Sequence, residues 1–234
     1  MADPRNQLPL PIRLDDYATW ANWLSRHETE ALEQWLLEAS GRHAFIYGAP
    51  GLGKTHLLQA CCESVGPQAR YVPLRDLKDF APEQVLADVE QAQLLALDDI
   101  DVIAGSVDWQ EALFAAYNRC SESGTTWLVT ARCAPAQLEE MLPDLASRLA
   151  SLPVFQLPRF SETEIEALLK LRAVSMGFAL SDDVIHFCAL RLPRDASSTV
   201  RFLERLDRAS LAERRAVTVP FIRGLGLLER AEGS

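Results

Sequence analysis

Cysteine is scarce in this sequence, and the cysteines that are present do not have the spacing of a metal site. Their number is odd, and they lie at Cys61, Cys62, Cys120, Cys133 and Cys188. We therefore expect free, buried thiols in a reducing compartment rather than a disulfide framework. The sequence also lacks a run of about 20 apolar residues for a membrane span and a basic stretch followed by an apolar one at its N-terminus. Both absences predict a cytoplasmic protein without a membrane partner.

Positive charge is also limited. The 23 lysine and arginine residues are outnumbered by 33 aspartate and glutamate residues, which gives a net charge of −10. Sequence-independent DNA binding depends on clustered basic side chains that neutralise phosphates. Direct DNA binding is therefore not expected to be the main activity, and any contact with DNA should be indirect.

The middle of the chain alternates short apolar runs with longer amphipathic segments. The apolar runs predict buried strands at His43–Tyr47, Arg70–Val72, Leu94–Leu97, Trp127–Thr130 and Val154–Leu157. The segments between them predict helices at Thr55–Glu63, Pro82–Glu90, Trp109–Glu122 and Pro135–Leu149, after a first helix at Tyr17–Ala39. This alternation is typical of an α/β fold with a mostly parallel sheet and helices on both faces.

The pattern changes after Pro158. Ser161 and Glu164 form a capping box that predicts a helix to about Met176, and Gly177 follows it. Further helices are predicted at Asp182–Arg191, at Ser197–Arg214 and from Thr218 onward. We therefore expect a tail at residues 1–13, an α/β domain at residues 14–159 and a small all-helical domain at residues 160–234.

A phosphate-binding motif follows the first predicted strand. The sequence from Gly48 to Thr55, GAPGLGKT, fits G-x-x-x-x-G-K-[ST] and directly precedes a predicted helix. Its glycines allow backbone N–H groups to turn toward phosphate oxygens, and the helix N-terminus favours their negative charge. Lys54 is expected to pair with the β- and γ-phosphates and Thr55 to hold Mg²⁺. The motif predicts a nucleotide site.

Two carboxylates end the third predicted strand, at Asp98 and Asp99. A P-loop needs an acidic residue at the end of a neighbouring strand to complete its metal site. We expect Asp98 to hold Mg²⁺ through water and Asp99 to orient an attacking water molecule. Arg148 lies near the last strand, where an arginine is either an ordinary surface residue or a group that stabilises the γ-phosphate.

Several segments resemble the nucleotide-binding module of the bacterial replication initiator DnaA, an AAA+ ATPase family. The segments are GKTHLL from Gly53, DDID from Asp98, FAAYN from Phe114, and LPDLASRL and FLERLDRASL in the second half. The module consists of an α/β domain and a helical lid. Because this chain ends with the lid, it resembles the short regulatory members of the family, which inactivate the initiator after replication begins.

The resemblance implies roles for individual residues. It implies that Arg148 is an arginine finger acting in trans on a neighbour's nucleotide, and that Thr130 belongs to the first sensor segment. Ser197 stands where the lid sensor arginine belongs, so either Arg194 or Arg201 takes that role or the role is lost in this chain. The nucleotide-binding residues would be Gly48, Pro50, Gly51, Leu52, Gly53, Lys54, Thr55, His56 and Arg194.

The resemblance also implies ligands and partners. We expect bound ADP or ATP with Mg²⁺, slow intrinsic hydrolysis because Asp99 is shorter than the glutamate of many AAA+ enzymes, and self-association into a homo-oligomer. The implied partner is the initiator DnaA, whose ATPase this chain would stimulate.

The N-terminal tail contains three apolar residues that alternate with two prolines, in the sequence QLPLPI from Gln7. It resembles the short peptides by which bacterial replication proteins dock on the β sliding clamp. Gln7 would hydrogen-bond at the pocket edge, and Leu8, Leu10, Pro11 and Ile12 would complete the docking peptide. DNA would then be reached through the clamp.

Two other functions remain open at this point. A small-molecule P-loop kinase would have a similar length, but its lid should be inserted within the α/β domain. A helicase loader or initiator-associated DNA-remodelling factor would share the P-loop, the aspartate pair and the arginine. Such a loader would need a helicase-contacting element in the tail and basic residues for single-stranded DNA.

Overall fold

The computed structural model describes residues 15, 17–37 and 43–228. The predicted clamp-binding residues Gln7, Leu8, Leu10, Pro11 and Ile12 lie outside the described residues. Contacts divide the described chain into two compact units. The first contains the described residues up to Ala21, those of Thr29–Gly48, and Lys54–Leu157, and the second contains Asn22–Glu28, Ala49–Gly53 and the described chain from Pro158.

The described residues of the first unit form a five-stranded sheet. Its strands are β1 (Ala44–Tyr47), β2 (Ala69–Pro73), β3 (Leu94–Asp98), β4 (Thr126–Ala131) and β5 (Val154–Gln156). They are hydrogen-bonded in the order β2-β3-β4-β1-β5, and every pair is parallel. The five strands and their parallel pairing confirm the α/β fold predicted from the sequence.

Burial explains the apolar sequences of the central strands. Every residue of β3 and β4 is buried, so these strands lack the alternation of a half-exposed sheet. The register pairs Leu94 with Thr126 and Leu97 with Val129. The carboxyl ends of β3 and β4 therefore meet at the same edge of the sheet, which brings Asp98 and Thr130 together.

In the part of the chain that the structure describes, six α-helices pack with this sheet. They are α1 (Glu30–Leu37), α2 (Lys54–Val65), α3 (Leu74–Leu77), α4 (Pro82–Val85), α5 (Val107–Ser123) and α6 (Pro143–Ala150). Helix α2 packs against β2, β3 and β4, while α5 packs against α4 and α6. The buried core includes Phe45, Leu95, Leu97, Leu113, Trp127 and Leu145.

The prediction of a single helix at Tyr17–Ala39 is wrong. The structure has 3₁₀ turns at Trp20–Asn22 and His27–Thr29 before α1 begins. Between these turns, the guanidinium of Arg26 lies 4.1 Å from the centre of the Phe160 ring within the second unit. Tertiary packing therefore interrupts a segment whose apolar periodicity alone favours one helix.

Two other predicted helices are shorter than expected. The helix predicted at Pro82–Glu90 is only the short helix α4, which ends at Val85. Asp88 has a left-handed φ of 56°, and a 3₁₀ turn follows at Val89–Gln91. The helix predicted at Pro135–Leu149 is a 3₁₀ turn followed by α6, which has Pro143 in its first turn. A proline has no N–H to donate and is favoured at the start of a helix rather than within it.

The helical part of the second unit contains α7 (Glu162–Ser175), α8 (Asp182–Ala189), α9 (Ala196–Glu213) and α10 (Val219–Leu225). The predicted capping box is present: Ser161 Oγ accepts from the Glu164 N–H, and Glu164 accepts from the Ser161 N–H. Gly177 follows α7 with a φ of 82°. Helix α7 packs against α8 and α9, with Leu203 and Leu206 of α9 fully buried.

All five cysteines are described and are free thiols. Four of them are buried, as expected, whereas Cys133 is half-buried. Burial raises the pKa of the Cys61, Cys62 and Cys188 thiols to about 12. Among the described residues, no helix is long and apolar enough to cross a membrane.

Candidate functional site

The loop between β1 and α2 begins and ends in the first unit. The Gly48 N–H donates to the Ala131 carbonyl at 3.2 Å, and the Lys54 Nζ donates to the Gly48 carbonyl at 2.7 Å. Lys54 is only 6% exposed, and this burial lowers its pKa although Asp99 and Asp98 act in the opposite direction. The loop therefore holds a buried cation close to its own backbone.

Asp98 is the centre of a hydroxyl network at the carboxyl edge of the sheet. Its Oδ2 accepts from Thr55 Oγ at 2.7 Å and from the Tyr71 hydroxyl at 2.9 Å, and its Oδ1 accepts from Thr130 Oγ at 2.5 Å. Burial, together with the charge of Asp98, raises the pKa of Tyr71, so its phenol remains a donor. The structure thus brings three predicted site residues together (Thr55, Asp98 and Thr130) and adds Tyr71.

Asp99 is held in a different way. It has a left-handed φ of 59°, and its N–H donates to Thr130 Oγ at 2.8 Å. Its Oδ2 lies 2.9 Å from the Nε of Arg75, which is in α3. The residue predicted to orient a water molecule is therefore ion-paired with an arginine that the sequence did not single out.

A second arginine–carboxylate contact lies after β4. The Arg132 N–H donates to Asp101 Oδ1 at 3.1 Å, and the Arg132 Nε lies 3.4 Å from Asp101 Oδ2. Tyr71, Arg75, Asp101 and Arg132 were all missed in the sequence. Arg75, Asp101 and Arg132 share a position just beyond the carboxyl end of a strand in the parallel sheet, whereas Tyr71 lies within β2.

The donor set at this edge fits a Mg²⁺–phosphate group. Thr55 and Asp98 present hydroxyl and carboxylate oxygens, which are hard ligands of the kind that Mg²⁺ prefers. Lys54 supplies a buried positive charge for phosphate oxygens. The arrangement can bind a polyphosphate and hold a metal ion beside it.

The middle of the loop, Ala49–Gly53, belongs to the second unit. Gly51 and Gly53 have left-handed φ values of 81° and 97°. A Cβ on Gly51 would lie 2.7 Å from Asp195 Oδ1, and one on Gly53 would lie 2.9 Å from the Trp23 ring. Both positions therefore require glycine for their backbone conformation and for the space around it.

The start of α9 contacts the same loop. The N–H groups of Ala196 and Ser197 donate to the Gly51 carbonyl at 2.8 and 3.3 Å. Asp195 caps α9, because its Oδ1 accepts from the Ser198 N–H at 2.7 Å. This part of the second unit thus consists of loop backbone hydrogen-bonded to a helix N-terminus.

The arginines considered for the lid sensor make contacts within the second unit. Arg194 donates from Nη2 to Glu162 Oε2 at 3.0 Å and from Nη1 to the Ala189 carbonyl at 3.3 Å. Arg201 is exposed and donates to Ser198 Oγ at 3.2 Å. The guanidinium of Arg194 is thus engaged by lid groups.

The remaining predicted residues lie in varied environments. Arg148 is exposed on α6, with its guanidinium carbon 5.5 Å from the centre of the Tyr117 ring. The His56 Nε2 lies 2.9 Å from the Thr19 carbonyl. In the loop, Pro50 is exposed, whereas Leu52 is 1% exposed.

Comparison with known families gives two matches along the chain. Residues 21–152, more than half of the chain, match the bacterial DnaA ATPase domain. Residues 162–225 match the lid domain of Hda. The two matched regions follow each other in sequence and correspond to the α/β part and to the helical part.

Solved structures share this fold. Domain III of the replication initiation protein DnaA from Thermotoga maritima has a TM-score of 0.82 and 23% identity, over 93% of this chain and 98% of that one. AMPPCP-bound DnaA from Aquifex aeolicus has a TM-score of 0.73 and 19% identity, over 94% and 69% of the two chains. The RuvB Holliday junction branch migration motor of Thermotoga maritima has a TM-score of 0.71 and 16% identity, over 89% and 71%. At these identities the likeness shows the fold, an AAA+ domain followed by a helical lid.

Proposed function

This chain belongs to the family of the bacterial DnaA ATPase domain, and because it also matches the Hda lid, we propose that it is a negative regulator of replication initiation. In this proposal the nucleotide-bound chain docks on the DNA-loaded β sliding clamp. It then stimulates hydrolysis of the ATP bound to the initiator DnaA. The pairing of these two family matches in one chain is the observation that carries the proposal.

Binding of ADP or ATP with Mg²⁺ is supported by the loop from Gly48 to Thr55. Lys54 would pair with phosphate oxygens, and Thr55 and Asp98 would hold the metal ion. When bound, Mg²⁺ neutralises charge on the β- and γ-phosphates. The AMPPCP-bound DnaA of Aquifex aeolicus has the same fold and an adenine nucleotide analogue in place, which supports an adenine nucleotide for this chain.

Slow intrinsic hydrolysis is supported by the state of Asp99. Its carboxylate is ion-paired with Arg75 at 2.9 Å, and this pair restrains it from orienting an attacking water molecule. A chain that holds nucleotide with little turnover of its own suits a regulator that acts on a partner's nucleotide.

Arg148 is proposed as the group that acts in trans. Its side chain is exposed on α6, as a contact with a neighbouring subunit would require. An arginine supplied in trans stabilises the charge that develops on the transferred phosphoryl group and accelerates hydrolysis by about 10³–10⁵. An AAA+ regulator of this kind is also expected to form homo-oligomers.

The proposal is tested by mixing the chain with clamp-loaded DNA and ATP-loaded DnaA and following phosphate release. Wild-type chain should accelerate release, and Arg148→Ala should abolish the acceleration. Arg205→Ala is the matched control, because Arg205 is an exposed arginine on α9. Equal acceleration by Arg148→Ala and by wild type would contradict the proposed role.

Clamp docking is proposed for the tail residues Gln7 to Ile12 and has a separate test. The double variant Gln7→Ala and Leu8→Ala should lose binding to the clamp and retain nucleotide binding. The control is Asp3→Ala with Arg5→Ala in the same tail. Clamp binding that survives the first double variant would refute this part of the proposal.

A further inference from the structure

Resting on the proposed role of Arg148, we propose that Tyr117 is a positioning residue for that arginine. The face of its ring holds the guanidinium in the orientation that presents it to the neighbouring subunit. The guanidinium carbon of Arg148 lies 5.5 Å from the centre of the ring, which is within the range of a cation–π contact.

Arg148 needs such a support because it is exposed. Among the described residues, no carboxylate forms an ion pair with it. A long, exposed side chain without a fixed partner samples several rotamers, and only some of them point toward a neighbour. A ring that attracts the guanidinium increases the population of the productive ones.

The ring is itself fixed. Tyr117 lies on α5 and packs edge-on against Trp127, with the ring centres 5.1 Å apart and the planes at 79°. Trp127 is 1% exposed within β4. A continuous contact thus connects the sheet core to Arg148 through one half-buried aromatic ring.

The ring, rather than the hydroxyl, carries this role. Among the described residues, the Tyr117 hydroxyl forms no hydrogen bond, and the ring contacts Trp127, Arg148 and the buried core. Phenylalanine should therefore replace tyrosine without loss. An aliphatic residue removes the quadrupole that attracts the cation.

The test uses single-turnover hydrolysis of ATP preloaded on DnaA, with clamp-loaded DNA and increasing amounts of the full-length chain. Tyr117→Leu should lower the maximal rate by about two- to fivefold, the effect of one exposed cation–π contact. The chain concentration giving half the maximal rate should not change, and Tyr117→Phe should match wild type. Combined with Arg148→Ala, Tyr117→Leu should cause no further loss.

Folding is checked by melting temperature and nucleotide binding, and Tyr117→Met is the second variant because it keeps apolar bulk against Trp127. An unchanged maximal rate in Tyr117→Leu and Tyr117→Met would overturn the role of Tyr117 but leave the proposed function intact. A shift in the half-maximal concentration, or an added loss in the Arg148→Ala background, would also overturn it by indicating a docking role. No stimulation by wild type would contradict the proposed function and this inference together.

Discussion

The Nε of Arg75 lies 2.9 Å from the Oδ2 of Asp99, so the carboxylate predicted to orient an attacking water molecule is already engaged. The pair is partly exposed, with 47% of the Arg75 side chain and 20% of the Asp99 side chain accessible to solvent. An ion pair of this kind contributes at most about 1 kcal/mol. It therefore restrains Asp99 without removing it from use.

Arg75→Ala should raise intrinsic ATP hydrolysis by about two- to fivefold. Loss of an ion pair worth about 0.5–1 kcal/mol increases the population of unpaired Asp99 by that factor. Phosphate release from the isolated chain measures this. Arg119→Ala is the control, because it removes a similar pair with Glu90 at 3.0 Å. Unchanged or lower turnover in Arg75→Ala would show that the pair does not restrain Asp99.

Nucleotide affinity should fall as the pH rises toward 10.5 and Lys54 loses its proton. In the folded chain, burial lowers the pKa of Lys54 below the 10.5 of an exposed lysine. Lys54 therefore loses its proton at a lower pH than an exposed lysine does. Phosphate oxygens favour the charged form, and binding between the lowered pKa and 10.5 takes up a proton. Titration calorimetry in buffers of different ionisation enthalpy measures that proton uptake.

The lowered pKa of Lys54 also makes the free energy of unfolding depend on pH. Between the two pKa values the unfolded state binds more protons than the folded state, so the free energy of unfolding rises with pH in that window. Lys54→Arg should remove both effects, since arginine stays charged throughout. Equal pH dependence in Lys54→Arg and wild type would assign the effects to another group.

Thr130→Val should weaken Mg²⁺-dependent nucleotide binding. The valine keeps the shape of threonine but leaves Asp98 without one hydroxyl donor and the Asp99 N–H without its acceptor. Each buried polar group left without a partner costs about 1–3 kcal/mol. Thr130→Ser keeps the hydroxyl and should remain close to wild type in melting temperature and in nucleotide affinity. Equal losses in both variants would mean that packing, not the hydroxyl, matters.

Gly51→Ala should destabilise the chain more than Gly66→Ala does. Both glycines have left-handed φ values, 81° and 72°, which cost an L-residue about 1–2 kcal/mol. A Cβ on Gly51 would also lie 2.7 Å from Asp195 Oδ1, whereas one on Gly66 would have nothing within 4 Å. Denaturant unfolding compares the two variants. Similar losses of stability would show that the contact with Asp195 yields at little cost.

The sequence was sufficient to predict the sheet and much of the phosphate site. Strands such as β3 and β4 are continuous apolar runs because both faces are covered, and such runs are visible in a sequence. Parallel strands bring their carboxyl ends together, so Asp98 could be placed beside Thr55 from the motif alone. The structure confirms that proximity at 2.7 Å.

Other features depend on contacts that a sequence pattern does not contain. The pairing of Arg75 with Asp99 depends on how α3 leaves β2. The interrupted helix before α1 depends on the packing of Arg26 against Phe160. The early end of α4 is accompanied by a hydrogen bond from Arg119 Nη2 to the Leu86 carbonyl at 3.1 Å, a partner 33 residues away. The clamp-docking tail and the lid sensor role of Arg194 stay predictions.

We propose that this chain acts on nucleotide bound to the initiator rather than on its own nucleotide. The most direct measurement is the single-turnover rate of ATP preloaded on DnaA, with the regulator chain loaded with ADP and clamp on DNA present. We predict acceleration by wild type, and a loss of about 10³ or more in that acceleration with Arg148→Ala. A rate with ADP-loaded wild type equal to that of DnaA alone, or equal acceleration by Arg148→Ala, would contradict the account.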